Sequence, residues 1–201
     1  MANFDFNTAG AQRVYDLIPV GTTCELQMTI RPGGVSDDPW LTQAADGGSV
    51  GLDCEFTVVS PEPYGKRKLW QRFTMKGSTP GHQAAGEISR STLRAILESA
   101  RGVHPDDHSE EANARRKIVG WEEFQNLRFV AQLGVVPAKG DYPAKNTIKE
   151  IITPERKAWK QPEQIAAAGA QTTLPLNQGG QSAPPPANAI VRPQWAGGAN
   201  G

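Results

Sequence analysis

The chain is poor in cysteine, in aromatic residues and in net charge, and each shortage removes a class of protein. Two cysteines, Cys24 and Cys54, in 201 residues are too few for a disulfide framework or a four-ligand zinc site. Both fall at inward positions of predicted strands and read as buried thiols. Lysine plus arginine number 21 and aspartate plus glutamate 21, so no global basic field marks a duplex binder and any nucleic-acid site has to be local. No apolar run approaches the roughly 18 residues of a membrane span, and Met1-Ala2-Asn3-Phe4-Asp5-Phe6 lacks the basic start and apolar stretch of a signal peptide. The expectation is a cytoplasmic protein with no membrane partner.

Catalytic signatures are missing as well. There is no Gly-rich phosphate loop of Walker type, no Gly-x-Ser-x-Gly elbow and no His-Glu-x-x-His pair. The segment His104-Pro105-Asp106-Asp107-His108 has the residue types of a metal site, but Pro105 prevents a regular helix from presenting both imidazoles together. It reads as a polar loop. The sequence thus predicts no enzyme, no cofactor and no metal.

What is present is alternation. Thr22 to Arg31 places Cys24, Leu26, Met28 and Ile30 on one face, and Ser49 to Val59 does the same with Val50, Leu52, Cys54, Phe56 and Val58. Each is a half-buried strand. A long polar, glycine-bearing loop carrying Trp40 separates them, and Ser60-Pro61-Glu62-Pro63-Tyr64-Gly65 turns the chain into a third strand. That strand, Lys66 to Met75 and Lys76, sorts into an apolar face (Leu69, Phe73, Met75) and a cationic face (Lys66, Lys68, Trp70, Arg72, Thr74, Lys76). Cations with a tryptophan set among them suit a single nucleic-acid strand, the charges meeting phosphates and the indole stacking a base for about 1–3 kcal/mol. A solvated strand whose lysines protect a sheet edge has the same pattern.

From Gly81 to Arg101 the period changes to that of a helix, with Ala85, Ile88, Leu93, Ile96, Leu97 and Ala100 along one side and Gly102 as its C-cap. Arg90 and Arg94 are neighbours on the polar side, where they either meet phosphate or stay solvated. Asp106 to Lys117 is charged and partly helical, Trp121-Glu122-Glu123-Phe124 is a turn, and Leu127 to Val135 and Asn146 to Ile152 are the last strands. Three strands, a helix and two strands is the element order of an OB-fold, a five-stranded antiparallel Greek-key barrel that commonly binds oligonucleotides. Fold alone does not assign function. The expected organisation is a mainly β domain over residues 1–153 and a flexible tail over 154–201. In that tail, Ala, Gly and Pro runs are too poor in large apolar groups to offset the entropy of ordering. The tail carries Trp159 and an apolar island, Val191-Arg192-Pro193-Gln194-Trp195, which reads either as a partner-binding peptide or as a linker end.

Several segments together resemble a family of small proteins encoded in phage and prophage replication or recombination cassettes and regarded as OB-fold single-stranded DNA-binding proteins. The resembling pieces are Phe4-Asp5-Phe6, Leu17-Ile18-Pro19-Val20-Gly21-Thr22, Leu52-Asp53-Cys54-Glu55-Phe56-Thr57-Val58 and Tyr64-Gly65-Lys66-Arg67-Lys68-Leu69-Trp70. Further on come Ile88-Ser89-Arg90-Ser91-Thr92-Leu93-Arg94-Ala95-Ile96-Leu97, Leu127-Arg128-Phe129-Val130-Ala131 and Lys145-Asn146-Thr147-Ile148. The resemblance implies a protein of the bacterial host cytoplasm that coats exposed DNA and passes it to a phage recombinase, polymerase or helicase. The acidic tail with terminal aromatic found in many such binders is absent, since Arg192 lies near Trp195 with no acidic cluster.

The expected site is Lys66, Lys68, Trp70, Arg72 and Lys76 on one strand face. Trp40, Tyr64 and Tyr142 read either as secondary stacking residues or as simple surface or packing aromatics, and Arg90 and Arg94 as helix-borne phosphate contacts. The rival readings are a protein-interaction module whose acidic partner meets the same cations and a structural virion component. Oligomeric state stays open.

Overall fold

The computed structural model describes residues 7–11, 15–35 and 38–164. In chain order they form β1 (Thr23–Arg31), β2 (Thr42–Gln43), β3 (Ser49–Ser60), β4 (Lys68–Gly77), α1 (Pro80–Arg101), α2 (Glu110–Arg115), β5 (Arg128–Val136) and β6 (Lys145–Ile152). The five long strands and the helix after the third are those the alternation predicts, and β2 is a two-residue strand inside the expected loop.

All pairings are antiparallel: β1 with β3 and β5, β3 with β2 and β4, and β5 with β6. A strand has two edges, and residues 53–57 of β3 pair with both β1 and β4, so these two lie on opposite sides of β3. The long strands therefore run β4-β3-β1-β5-β6, with β2 continuing the β1 side of β3. This is an open sheet. Strands β4 and β6 come close to each other, yet among the described residues no backbone ladder joins them.

The inward residues of the alternation make the core. Leu26, Met28, Leu52, Phe56, Phe129 and Leu133 are fully buried, and Cys24 and Cys54 sit among them as free thiols. Phe56 lies edge-on to Phe73 and Phe129, with centroids 6.3 and 5.7 Å away. Removing such a ring costs about 3–5 kcal/mol.

Helix α1 begins where the Thr79 side chain accepts a hydrogen bond from the His82 amide, and it ends at Gly102 in the left-handed conformation (φ 65°). It buries Leu93, Ile96, Leu97 and Ala100 as the periodicity predicts. Ile88, expected on that face, is 68% exposed. Gly86 and Ser89 take the buried positions of this turn instead, where the helix crosses β4 and a Cβ on Gly86 would stand in ordinary van der Waals contact with the Thr74 and Met75 carbonyls (3.6 and 3.7 Å). At the other end Glu98, only 4% exposed, accepts from Arg94 (2.8 Å) and Arg116 (2.7 Å).

Part of the expected tail falls within the described residues. Residues 154–164 pack back on the domain: Trp159 Nε1 donates to the Ser99 carbonyl (3.0 Å), and Gln161 and Gln164 donate to that of Ala100 (3.0 and 3.2 Å). Gln164 also exchanges hydrogen bonds with the Arg128 backbone (2.8 and 3.0 Å). The carbonyls of a helix's last turn have no partner within the helix, and this segment supplies one. The remainder of the predicted tail, with Val191 to Trp195, lies outside the described residues, as does Phe4-Asp5-Phe6. No described helix is long and apolar enough to cross a membrane.

Candidate nucleic-acid interface

The cationic stripe is shorter than its sequence pattern. Strand β4 starts at Lys68, because Lys66 occupies a left-handed turn (φ 66°) that ends the connection from β3. Its amide donates to the Val58 carbonyl, and the Val58 amide donates to the carbonyl of Arg67 (both 2.8 Å). Strand parity does not extend back across such a turn, so Lys66 leaves the stripe.

Lys76 leaves it at the other end. The β3–β4 register shifts between Val50 and Gly51: Gly51 faces Thr74 and Val50 faces Lys76, so Met75 is the extra residue of a bulge. Directly paired residues share a face. Lys76 therefore points to the side of Val50, the side on which α1 packs, and not to the side of Lys68, Trp70 and Arg72.

Those three residues do share a face, and each is tied to an acid of β3. Trp70 stands opposite Glu55 and Arg72 opposite Asp53. Glu55 accepts from Lys68 Nζ (2.5 Å) and from Trp70 Nε1 (3.1 Å). Arg72 donates to Asp53 (2.9 Å) and to the Thr42 carbonyl (2.6 Å). The Lys68 hydrogen bond, foremost, holds the Glu55 carboxyl below the usual range, with the Trp70 hydrogen bond assisting and partial burial opposing. The Trp70 ring is still 58% exposed.

Beside this face a cleft of about 450 Å³ opens between the start of β4 and the start of β6. Residues 15–18 form one wall, residues 65–70 another and residues 144–146 the third. It contains Trp70 and gathers Lys66, Arg67, Lys68 and Lys145 against Asp16, the only acid lining it among the described residues. Arg67 is the organiser: its guanidinium lies 5.1 Å from the Tyr15 ring centroid and 5.2 Å from that of Tyr64, and it donates to the Asp16 carbonyl (2.5 Å). Asn146 pins the same wall, accepting from the Ile18 amide (2.9 Å) and donating to the Ile18 carbonyl (2.8 Å). Tyr15 and Leu17 remain largely exposed along it, at 62% and 41%.

The other expected residues scatter. Trp40 and Tyr64 are half-buried and pack against the core, and the Tyr64 ring lies beside the Arg67 guanidinium. Tyr142 is 80% exposed on the β5–β6 connection and does not line the cleft. Arg94 is committed to Glu98 and the Pro105 carbonyl. Arg90 shares a separate cavity with Lys76. Sequence reasoning missed Tyr15, Arg67 and Lys145, for nothing local brings residues 15–18 to β6; the one available sign was an asparagine near the start of that strand, at position 146.

No protein-family model and no curated protein sequence matches the chain.

Proposed function

We propose that this chain is an OB-fold-like domain that binds single strands of nucleic acid. More particularly, we propose a sequence-nonspecific single-stranded DNA-binding protein serving phage DNA replication or recombination in the bacterial host cytoplasm, without catalysis and without a cofactor. The strand order β4-β3-β1-β5-β6 with α1 between β4 and β5 supports the first step. It is the pairing order of a five-stranded OB barrel with the seam between its third and fifth strands unpaired. The family resemblance of residues 4–153 supports the phage setting.

The observation that carries the reading is Trp70, a large aromatic 58% exposed at the rim of a cleft whose charged residues, among those described, are cations but for Asp16. A base stacks on the indole while Lys66, Arg67 and Lys145 meet phosphates. Because that contact set is electrostatic and shape-tolerant, affinity falls with salt and depends little on sequence. Duplex DNA is disfavoured, since its bases are not free to stack.

Titration of a labelled oligothymidine of about 30 nucleotides and of the matching duplex, at low and moderate salt, tests this. Preference for the single strand, weakened by salt, is the expected result, and Trp70→Ala should lower affinity by about 5- to 150-fold, the equivalent of 1–3 kcal/mol per stacked base. Failure to bind at low salt sinks the reading. A second reading, an interaction module for another phage protein, draws on the unpaired facing edges of β4 and β6, which could accept an extended peptide. Binding of oligonucleotide by the isolated protein separates the two.

A further inference from the structure

The far end of β4 carries a second cluster that the stacking cleft does not explain. Residues 75–77 and the first turns of α1 enclose a cavity of about 370 Å³ lined by Lys76, Arg90, His82 and Glu87, among others. Two features of the fold put these groups together. The bulge at Met75 swings Lys76 off the Trp70 face to the side of α1. Gly77 then lets the helix come close, for a Cβ there would lie 2.2 Å from that of His82. No other residue fits at that approach.

Seven of the described cations are committed to carboxylates, and the two in this cavity are not. Lys68, Arg72, Arg94, Arg101, Arg116, Arg128 and Arg156 each have a carboxylate partner. Neither Lys76 nor Arg90 makes a hydrogen bond or ion pair with any described residue, although Glu87 lines the same cavity. The Arg90 guanidinium folds back toward the helix, 3.5 Å from where a Cβ on Gly86 would stand. The His82 ring, its Nδ1 buried without a partner, forms part of the wall. Two unpaired cations converging on one cavity favour an anion between them, and a phosphate diester matches their charge and the guanidinium's forked donors.

We propose that the Lys76–Arg90 cavity is a second phosphate-binding station for the single strand whose base stacks on Trp70, so that the bound strand runs along β4 and passes round its unpaired edge from the Trp70 face to the α1 side. This rests on the single-strand-binding reading. Six residues of strand separate Trp70 from Lys76, about 20 Å along β4, so a strand rising about 3.4 Å per nucleotide and crossing the edge needs at least roughly six nucleotides to reach both. That falls within the roughly 4–16 nucleotides occupied per OB domain.

The test compares wild type, Lys76→Ala/Arg90→Ala, and a control of equal charge change, Lys157→Ala/Lys160→Ala, in salt titrations with labelled oligothymidine of 15 nucleotides. Two lost contacts flatten the slope of log K against log salt by about 1.4, so from 50 to 200 mM salt the variant should lose about sevenfold less affinity than wild type. The control should keep the wild-type slope, and melting curves of both variants should overlay that of wild type. An unchanged slope in the Lys76/Arg90 variant, or an equal change in the control, overturns the second station while leaving the stacking cleft standing. Absence of wild-type binding overturns the functional reading itself.

Discussion

Glu55→Gln separates the two things a carboxylate can do beside a nucleic-acid site. The side chain sits on β3 opposite Trp70, with one oxygen 2.5 Å from Lys68 Nζ and the other 3.1 Å from the indole Nε1. It therefore occupies the donors that a phosphate near Trp70 would use. The amide keeps the shape and an acceptor oxygen but removes the charge. The fold should tolerate the change: an exposed pair of this kind contributes about 0.2–1 kcal/mol, and for a domain of this size that shifts the melting temperature by about 1–4 °C. Binding should strengthen. A unit negative charge about 4 Å from a phosphate costs about 1 kcal/mol even in water-like dielectric, so its removal gains about fivefold in Kd. Lys68, released from its partner, adds one phosphate contact and steepens the salt slope by about 0.7. Oligothymidine titration of wild type and Glu55→Gln across 50 to 200 mM salt, alongside thermal melts, measures all three quantities. Weaker binding by a folded Glu55→Gln protein would refute the reasoning and make Glu55 the residue that holds the indole in place.

Two further outcomes concern the fold. Glu98→Ala strands Arg116, whose side chain is 10% exposed, without its carboxylate; breaking a buried pair this way costs about 3–5 kcal/mol, a drop in melting temperature of about 6–20 °C, and a drop of less than about 2 °C would show the network to be dispensable. Burial pushes the Cys24 thiol from 9.0 up to about 11 and, aided by the neighbouring Asp53 charge, the Cys54 thiol from 9.0 up to about 12. Above pH 9 the unfolded chain then binds fewer protons than the folded one, so stability is full below pH 9 and falls as pH rises from 9 toward 11–12. Urea titrations at pH 8 and pH 10 should show the loss, and alanine at both positions should abolish the difference between the two pH values.

Period-two and period-3.6 patterns determined much of this protein without reference to anything distant. Leu26, Met28, Leu52, Phe56 and Phe129 are core because alternation on a strand permits only one face to be buried, and α1 lies where the period changes and ends where Gly102 accepts a left-handed φ. The exposure of Trp70 was legible for the same reason. Parity fails wherever the chain departs from regular geometry. The turn at Lys66 and the bulge at Met75 each shift it by a residue, and so Lys66 and Lys76 left a stripe that looks continuous in the sequence.

Charge balance along one strand also conceals which acids it will meet. Glu55 and Asp53 reach Lys68, Trp70 and Arg72 only through the β3–β4 register. The cleft depends on still longer range, since Asn146 holds Ile18 across 128 residues and Arg67 reaches Asp16 and Tyr15 across the wall. The docking of Trp159 beneath the end of α1 is of the same kind: a composition too poor to fold alone is held because the helix leaves carbonyls in need of donors. Sequence fixes what each residue can do through its local periodicity, whereas register, bulges and loop closure decide which of those residues meet, because these are properties of pairs distant along the chain.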